Sequence, residues 1–341
     1  MFTPLLELTP GGLYCPPGGF HIDPWQAVPR AVITHAHADH ARWGCDRYLA
    51  VRDGQHLLRT RLGAGIALDT LAYGETLTIN GVQVSFHPAG HVLGSSQIRL
   101  EQHGEVVVVS GDYKLDADPT CQRFEAVRCH TFLTESTFGL PIYRWHPPAV
   151  LFDQINAWWK ANRDAGKASL IFAYALGKAQ RLLAGVDSGI GPIFTHGAVE
   201  KVTRAYRDSG IALPATTPVG EMPRGRAWTG SLIIAPPSAD GSPWARKFQP
   251  LSTAMASGWM RVRGTRRRRS VDRGFVLSDH ADWPGLLSAI DATGAQRVLI
   301  THGSSAILAR YLNDRGLTAE TLATRYEGEV DEPAEVEAAA P

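Results

Sequence analysis

Four metal-ligating side chains crowd into the stretch Thr34-His35-Ala36-His37-Ala38-Asp39-His40, directly after the short apolar run 30–34, R-A-V-I-T. Imidazoles and a carboxylate spaced only by alanine cannot serve an apolar core, because buried polar groups without partners are costly. They are the groups that bind zinc, manganese and similar divalent ions, and a strand opening into a loop lets alternate residues turn toward one pocket. The same placement recurs along the chain. His91 stands in the glycine-flanked P-A-G-H-V-L-G-S, Asp112 follows the buried run 105–110 (E-V-V-V-V-S), and His302 follows 297–301, R-V-L-I-T. Each ligand type caps a strand candidate, so the chain is expected to assemble a site at the edge of a sheet.

Runs 30–34, 77–86, 96–100 and 105–110 have the length and β-branched content of strands. From about Pro141 the rhythm changes. Residues 150–162 carry apolar positions at helical spacing, 169–173 reads as a strand and 177–183 as the helix after it. Strand-like 232–235 and 274–277, a helix over 283–292 and a strand over 297–301 complete an α/β alternation. The acidic close, 327–341, is expected to be a disordered tail. At 341 residues the chain has room for one large unit or two. No apolar run reaches membrane-helix length and the first residues lack a secretion pattern, so a cytoplasmic location and no membrane partner are expected. The four cysteines form no C-x-x-C pair, which removes support for a zinc ribbon or a redox site. A net charge of +1 excludes coating nucleic acid by bulk electrostatics and leaves a local basic groove open.

The order H-x-H-x-D-H, loop His, strand-end Asp, late His resembles the metallo-β-lactamase superfamily. The resemblance implies two divalent ions, Zn2+ or Mn2+: one on His35, His37 and His91, the other on Asp39, His40 and His302, with Asp112 bridging. Asp23, in H-I-D-P, matches the early aspartate that orients the ligand loop; by itself it would read equally well as a turn residue. Three further stretches resemble the β-CASP branch, the nucleases with a second domain inserted in the lactamase fold: T-E-S-T-F-G over 134–139, S-D-H-A-D over 278–282, and A-Y-A-L-G-K-A-Q over 173–180. They imply His280 as general acid to the departing oxygen, Glu135 as the group that orients it and keeps it protonated, and Asp39 as a catalytic ligand. Ser278, Lys178 and Thr137 are the candidates for substrate contact, although Ser278 could equally cap a helix. The arginine-rich run 261–270 suits phosphate or is simply a solvated loop. Trp259, Trp145, Phe138 and Tyr143 could stack bases or pack in the core.

The expected architecture is a four-layer αββα sandwich from 1–140 and 271–326 around a β-CASP-like α/β insertion, 141–270, with the site in the cleft between them. R-V-R-G-T-R-R-R-R over 261–269, followed by G-F-V-L-S-D-H-A-D-W over 274–283, resembles the bacterial DNA ligase-associated exonuclease group, and the match runs over about 10–325. It implies a metal-dependent DNA exonuclease of DNA repair, hydrolysing phosphodiesters with a hydroxide held by both metals, with a ligase and a helicase as partners. An RNA-processing nuclease of the same fold is the alternative, and His302 is a residue typical of those members. A small-molecule metallo-hydrolase and a scaffold subunit without chemistry are the other classes; the complete ligand set counts against the last.

Overall fold

The computed structural model describes residues 4–262, 264 and 271–324. The acidic segment 327–341 and most of the arginine-rich run lie outside the described residues. The described chain forms two compact units: residues up to Arg144 with those from Asp279 onward, and Trp145–Ser278.

The first unit opens with β1 (Glu7–Thr9), β2 (Gly12–Cys15), β3 (Phe20–Ile22), β4 (Arg30–Val32), β5 (Arg47–Val51), α1 (Gln55–Leu62) and β6 (Leu68–Leu71). The six strands lie side by side in chain order. β7 (Thr76–Ile79), β8 (Val82–Pro88), β9 (Ser96–Gln102), β10 (Glu105–Val109) and β11 (Thr131–Glu135) begin a second sheet. The run 77–86, expected as one strand, is a hairpin instead. Asn80 and Gly81 both take positive φ (49° and 85°) and pair Ile79 with Val82, the backbone a two-residue turn between right-twisted strands demands.

The second unit holds α2 (Pro148–Asp164), β12 (Ala168–Phe172), α3 (Lys178–Gly185), β13 (Ile193–Thr195), α4 (Gly197–Asp208), β14 (Thr217–Pro218), β15 (Leu232–Ala235), α5 (Pro243–Arg246), β16 (Leu251–Ala256) and β17 (Arg273–Phe275). Its strands run in the order β14-β13-β15-β12-β16-β17, all parallel. Such a sheet is apolar on both faces. Leu170, Phe172 and Ile233 pack to one side, Ile171, Leu232 and Ile234 to the other, where α2 and α3 supply Ile155, Trp159 and Leu182. β17 pairs Met255 with Gly274, so the strand leading to His280 belongs to this sheet. The boundary thus falls after Ser278, eight residues beyond the expected 270, because backbone pairing rather than composition decides it.

The chain returns to the first unit with α6 (Trp283–Thr293), β18 (Arg297–Thr301), α7 (Ser305–Asp314) and β19 (Thr318–Thr321). The second sheet then reads β19-β18-β11-β10-β9-β8-β7, with β18 parallel to β11. Side chains alternate across it with a period of two. Val107, Val109 and Leu133 meet Val32 and Leu49 of the first sheet, while Val106, Val108, Phe132 and Ile300 meet Leu286, Ile290 and Leu308 of α6 and α7. The V-V-V-V run is therefore buried on both faces. None of the four cysteines forms a disulfide, and no helix among the described residues is long and apolar enough to cross a membrane.

Candidate metal centre

The ligand-type residues predicted from sequence converge at strand exits of the first unit. Thr34 to His40 follow β4, and the first fixed point is Asp23, which follows β3. Its Oδ1 accepts from the Thr34 amide at 2.8 Å and its Oδ2 from the Thr34 hydroxyl at 2.5 Å, with His40 Nδ1 at 2.7 Å from the same Oδ2. Asp23 therefore acts on the loop as a brace, held in the left-handed region at φ 43°, a conformation a non-glycine residue keeps only when its surroundings over-determine it. His91 is set by a loop whose Ser95 hydroxyl accepts from the amides of His91 and Val92 at 3.0 and 3.2 Å. The glycine before it is obligatory: Gly90 has φ 75°, and a Cβ there would run into the carbonyl oxygen of Lys114. His302, at φ 59°, is strapped by Ser136, whose hydroxyl donates to the carbonyls of Thr301, at 3.1 Å, and of His302 itself.

Two groups result. In the first, His37 Nδ1 lies 3.1 Å from both His35 Nε2 and His91 Nε2, and Asp112 Oδ2 lies 3.5 and 3.7 Å from those two Nε2 atoms. A tetrahedron with metal–nitrogen bonds of 2.0–2.1 Å has edges of about 3.3–3.4 Å, so this donor set fits a zinc-sized ion. His91 Nδ1 donates to the Asp279 carbonyl at 2.8 Å, which leaves Nε2 as the lone-pair nitrogen. Burial, with the charge of His280 beside it, pushes His91 down to about 3, and burial with the neighbouring His40 holds His35 well below the usual imidazole range. Both shifts favour the neutral ring, the form in which an imidazole can hold a metal.

In the second group, His40 Nε2 is 3.5 Å from Asp112 Oδ2 and 3.6 Å from Asp39 Oδ2, and His302 Nδ1 is 3.9 Å from Asp112 Oδ1. His40 Nε2, Asp112 Oδ1 and His302 Nδ1 are buried without a hydrogen-bond partner. Three orphaned polar atoms facing one spot are expensive unless a cation joins them. A cavity bordered by Asp39, His40 and His302, with apolar walls from Leu13, Val109 and Leu133, adjoins them. Burial opposes protonation of His40, but Asp39, Asp112 and Asp23 outweigh it and raise its pKa well above the imidazole range. A metal must therefore displace a proton here, and its affinity should rise with pH. The residues present fit two divalent ions sharing Asp112. For the brace, Asp23→Ala should weaken metal affinity in the second group by about 10–100-fold, measured by chelator competition; unchanged affinity would remove Asp23 from the site.

Beside Asp112 stands a third arrangement. His280 Nδ1 is 2.9 and 3.1 Å from the two oxygens of Glu135, whose Oε1 also accepts from the Tyr113 amide at 2.8 Å. His280 Nδ1 is also 4.0 Å from Asp112 Oδ2. Burial works against the charged imidazole, but Glu135 and then Asp112 reverse that and bring His280 up to about 10.

The candidates for substrate contact and base stacking are mostly buried. Lys178 is 1% exposed, with its ammonium 4.5 Å from the centre of the Tyr174 ring, so it is not a surface anion contact. Ser278 caps no helix; Asp282 does, accepting from the Gly285 amide, while the buried Ser278 offers its carbonyl to Arg181 at 2.7 Å. Thr137 is buried, its hydroxyl without a hydrogen-bond partner. Phe138 and Tyr143 are buried edge to face against each other, and Trp145 and Trp259 are half-buried. Sequence reasoning gave no role to Thr34, Ser136 or the Asp279 carbonyl. Thr34 and Ser136 stand inside or against the motifs, whereas a backbone carbonyl leaves no trace in a sequence.

No protein-family model matches the chain. A protein of Opitutus terrae named probable DNA ligase is 34% identical over 311 residues, 90% of this chain and 30% of the relative. Endoribonuclease YSH1 of Yarrowia lipolytica is 27% identical over 187 residues, 49% of this chain and 22% of the relative. Cleavage and polyadenylation specificity factor 73 of Drosophila melanogaster is 26% identical over 185 residues, 49% and 27%. The chain thus spans under a third of the length of these relatives. A solved structure from Enterococcus faecalis, described as of unknown function, superposes with TM-score 0.59 at 11% identity over 88% of this chain and 80% of its own, a likeness of fold. With the H-x-H-x-D-H loop, the loop histidine, the strand-end aspartate and the late histidine converging as described, and with these relatives, the chain belongs to the metallo-β-lactamase superfamily, on its β-CASP branch.

Proposed function

We propose that the chain is a metal-dependent DNA exonuclease of the DNA ligase-associated group, built as an αββα sandwich with a β-CASP-like insertion. The observation that carries this reading is the Glu135–His280 pair set against Asp112, the carboxylate common to both ligand groups. In this reading His35, His37 and His91 hold one ion and Asp39, His40 and His302 the other, with zinc and manganese both suited to the donors. The ions would supply an activated water and counter the charge of the phosphate oxygens. The chain's own share is then acid chemistry and positioning. Glu135 fixes Nδ1 of His280 and its charge keeps the ring protonated, so that Nε2 carries the proton a departing oxygen needs. Asp23 orients His40, and the Asp279 carbonyl orients His91. The relative named DNA ligase argues for DNA ends as substrate, and for a ligase among the partners.

RNA is the second reading, favoured by the relatives named endoribonuclease and by His302. Digestion of matched end-labelled oligonucleotides separates the two: DNA and RNA, single-stranded and duplex, with zinc or manganese, wild type against Asp39→Ala. Stepwise, metal-dependent shortening of DNA, absent in the variant, is expected. Preferential cleavage of RNA would move the second reading to first place, and cleavage of neither would overturn both.

A further inference from the structure

We infer that the second unit carries a docking surface for single-stranded nucleic acid on one face of its parallel sheet, around His196, Trp244, Lys247 and Arg226; this rests on the nucleic-acid reading above.

The two faces of that sheet are covered differently. One is packed by α2 and α3; the other is covered by the irregular segments 219–228, 236–248 and 258–262, through Val219, Trp228, Ala245, Phe248 and Met260. Irregular segments on a rigid sheet are where binding residues concentrate. The chain leaves β13 toward β14 but leaves the neighbouring β15 in the other direction, toward β16. A parallel sheet whose order reverses in this way opens a crevice at the strands' carboxyl ends, the usual ligand position in open α/β sheets. His196 directly follows β13, and Trp244 lies on α5 after β15.

The rings there form a continuous row. His196 stacks edge to face on Trp244 at 4.8 Å, Trp244 on Phe248 at 4.8 Å, Phe248 on Trp228 at 5.0 Å, and Trp228 on Phe194 at 5.0 Å. His196 and Trp244 are half-exposed, so the row surfaces at that end. Cations cover it. Lys247 Nζ lies 5.0 Å from the Trp244 ring, and the Arg226 guanidinium lies 4.7 Å from the Phe194 ring. The covering segments contribute Arg224, Arg226, Arg246, Lys247 and Arg261 against two acids, Glu221 and Asp240, and Glu221 is already ion-paired with Arg204. Phe194, Trp228 and Phe248 anchor the row in the core, while Trp244 and His196 reach the surface beside the exposed Lys247 and Arg226, offering a flexible polyanion stacking for its bases and charge for its backbone. A duplex, whose bases are already stacked, can use only the charges.

The test is fluorescence anisotropy in chelator, without turnover, using labelled oligothymidine and oligouridine of about twenty nucleotides and a blunt duplex of the same length. Trp244→Ala should weaken single-strand binding about tenfold, with a smaller loss on duplex. Lys247→Ala and Arg226→Ala should each lower the slope of log affinity against log salt by about one. Lys160→Ala, an exposed cation on α2 at the opposite face, is expected to leave that slope in place. Lys247 is exposed, so its variant tests the surface even if Trp244→Ala does not fold. Single-strand affinity equal to wild type in the Trp244 and Lys247 variants, or an equal slope loss in Lys160→Ala, would overturn the surface and leave the nuclease reading standing. Wild type that binds none of the probes would likewise overturn the surface, while the nuclease reading is decided by the digestion assay. The oligothymidine and oligouridine arms tell which strand the surface prefers.

Discussion

Replacing Asp112 by alanine is expected to strip metal from both ligand groups and to lower turnover about 10²–10³-fold, the scale on which one member of a charge-stabilising constellation is missed. Asp112 is the carboxylate within 4.0 Å of His35, His40, His91, His280 and His302 together. Without it, neither group has its shared anion, and five imidazoles face one another with less negative charge between them. Elemental analysis checks the first half of the expectation and steady-state rates the second. Two ions per chain retained in Asp112→Ala would refute the bridging role, whatever happened to the rate.

His280→Ala should separate metal binding from chemistry. It is expected to keep both ions and to lose about 10²–10⁴-fold in turnover on a natural phosphodiester, whose leaving oxygen needs a proton. The loss should shrink on a nitrophenyl ester, whose leaving group needs none. Glu135→Gln supplies the electrostatic half. If the protonated ring is the acid, as proposed, activity should fall as pH rises through the pKa of His280. That pKa reaches about 10 because Glu135 and Asp112 outweigh burial. Cations on Asp112 would weaken its share of that pull and bring the wild-type limb below 10. Removing the Glu135 charge while keeping an oxygen in place should move the limb to still lower pH. A limb that stays where it was would mean that Glu135 aligns the ring without holding its proton, and normal turnover in His280→Ala would remove that residue from the mechanism.

The convergence of ligand-type residues was legible in the sequence because it is written locally: such residues at the ends of apolar runs, with glycine beside several of them. His35, His37, His40, His91, Asp112 and His302 needed only the rule that strand exits converge at a sheet edge. What stayed hidden depends on pairing or burial between distant segments. Nothing in R-G-F announces that β17 joins β16, so the unit boundary was drawn too early. Lys178, after a glycine at a helix start, has the local look of an anion contact, and only the fold shows its stem buried and its ammonium against Tyr174. Phe138 and Tyr143 gave no sign of whether rings or solvent would face them. The Asn80-Gly81 turn is a different case, since its signal is local and strong and was masked by the apolar residues on both sides.

The parallel pairing of β18 with β11 sets a timetable for the protein's birth. β11 ends at Glu135 and β18 begins at Arg297, so residues 136–296 must leave the ribosome before the strand that presents His302 can dock beside its partner. His280 likewise arrives only after nearly all of the second unit has been made. A nascent chain can bring His35, His37, His91 and Asp112 together before it has made His280 or His302. On the nuclease reading, nucleic acids near the growing chain meet no complete site until both of those later segments have been made.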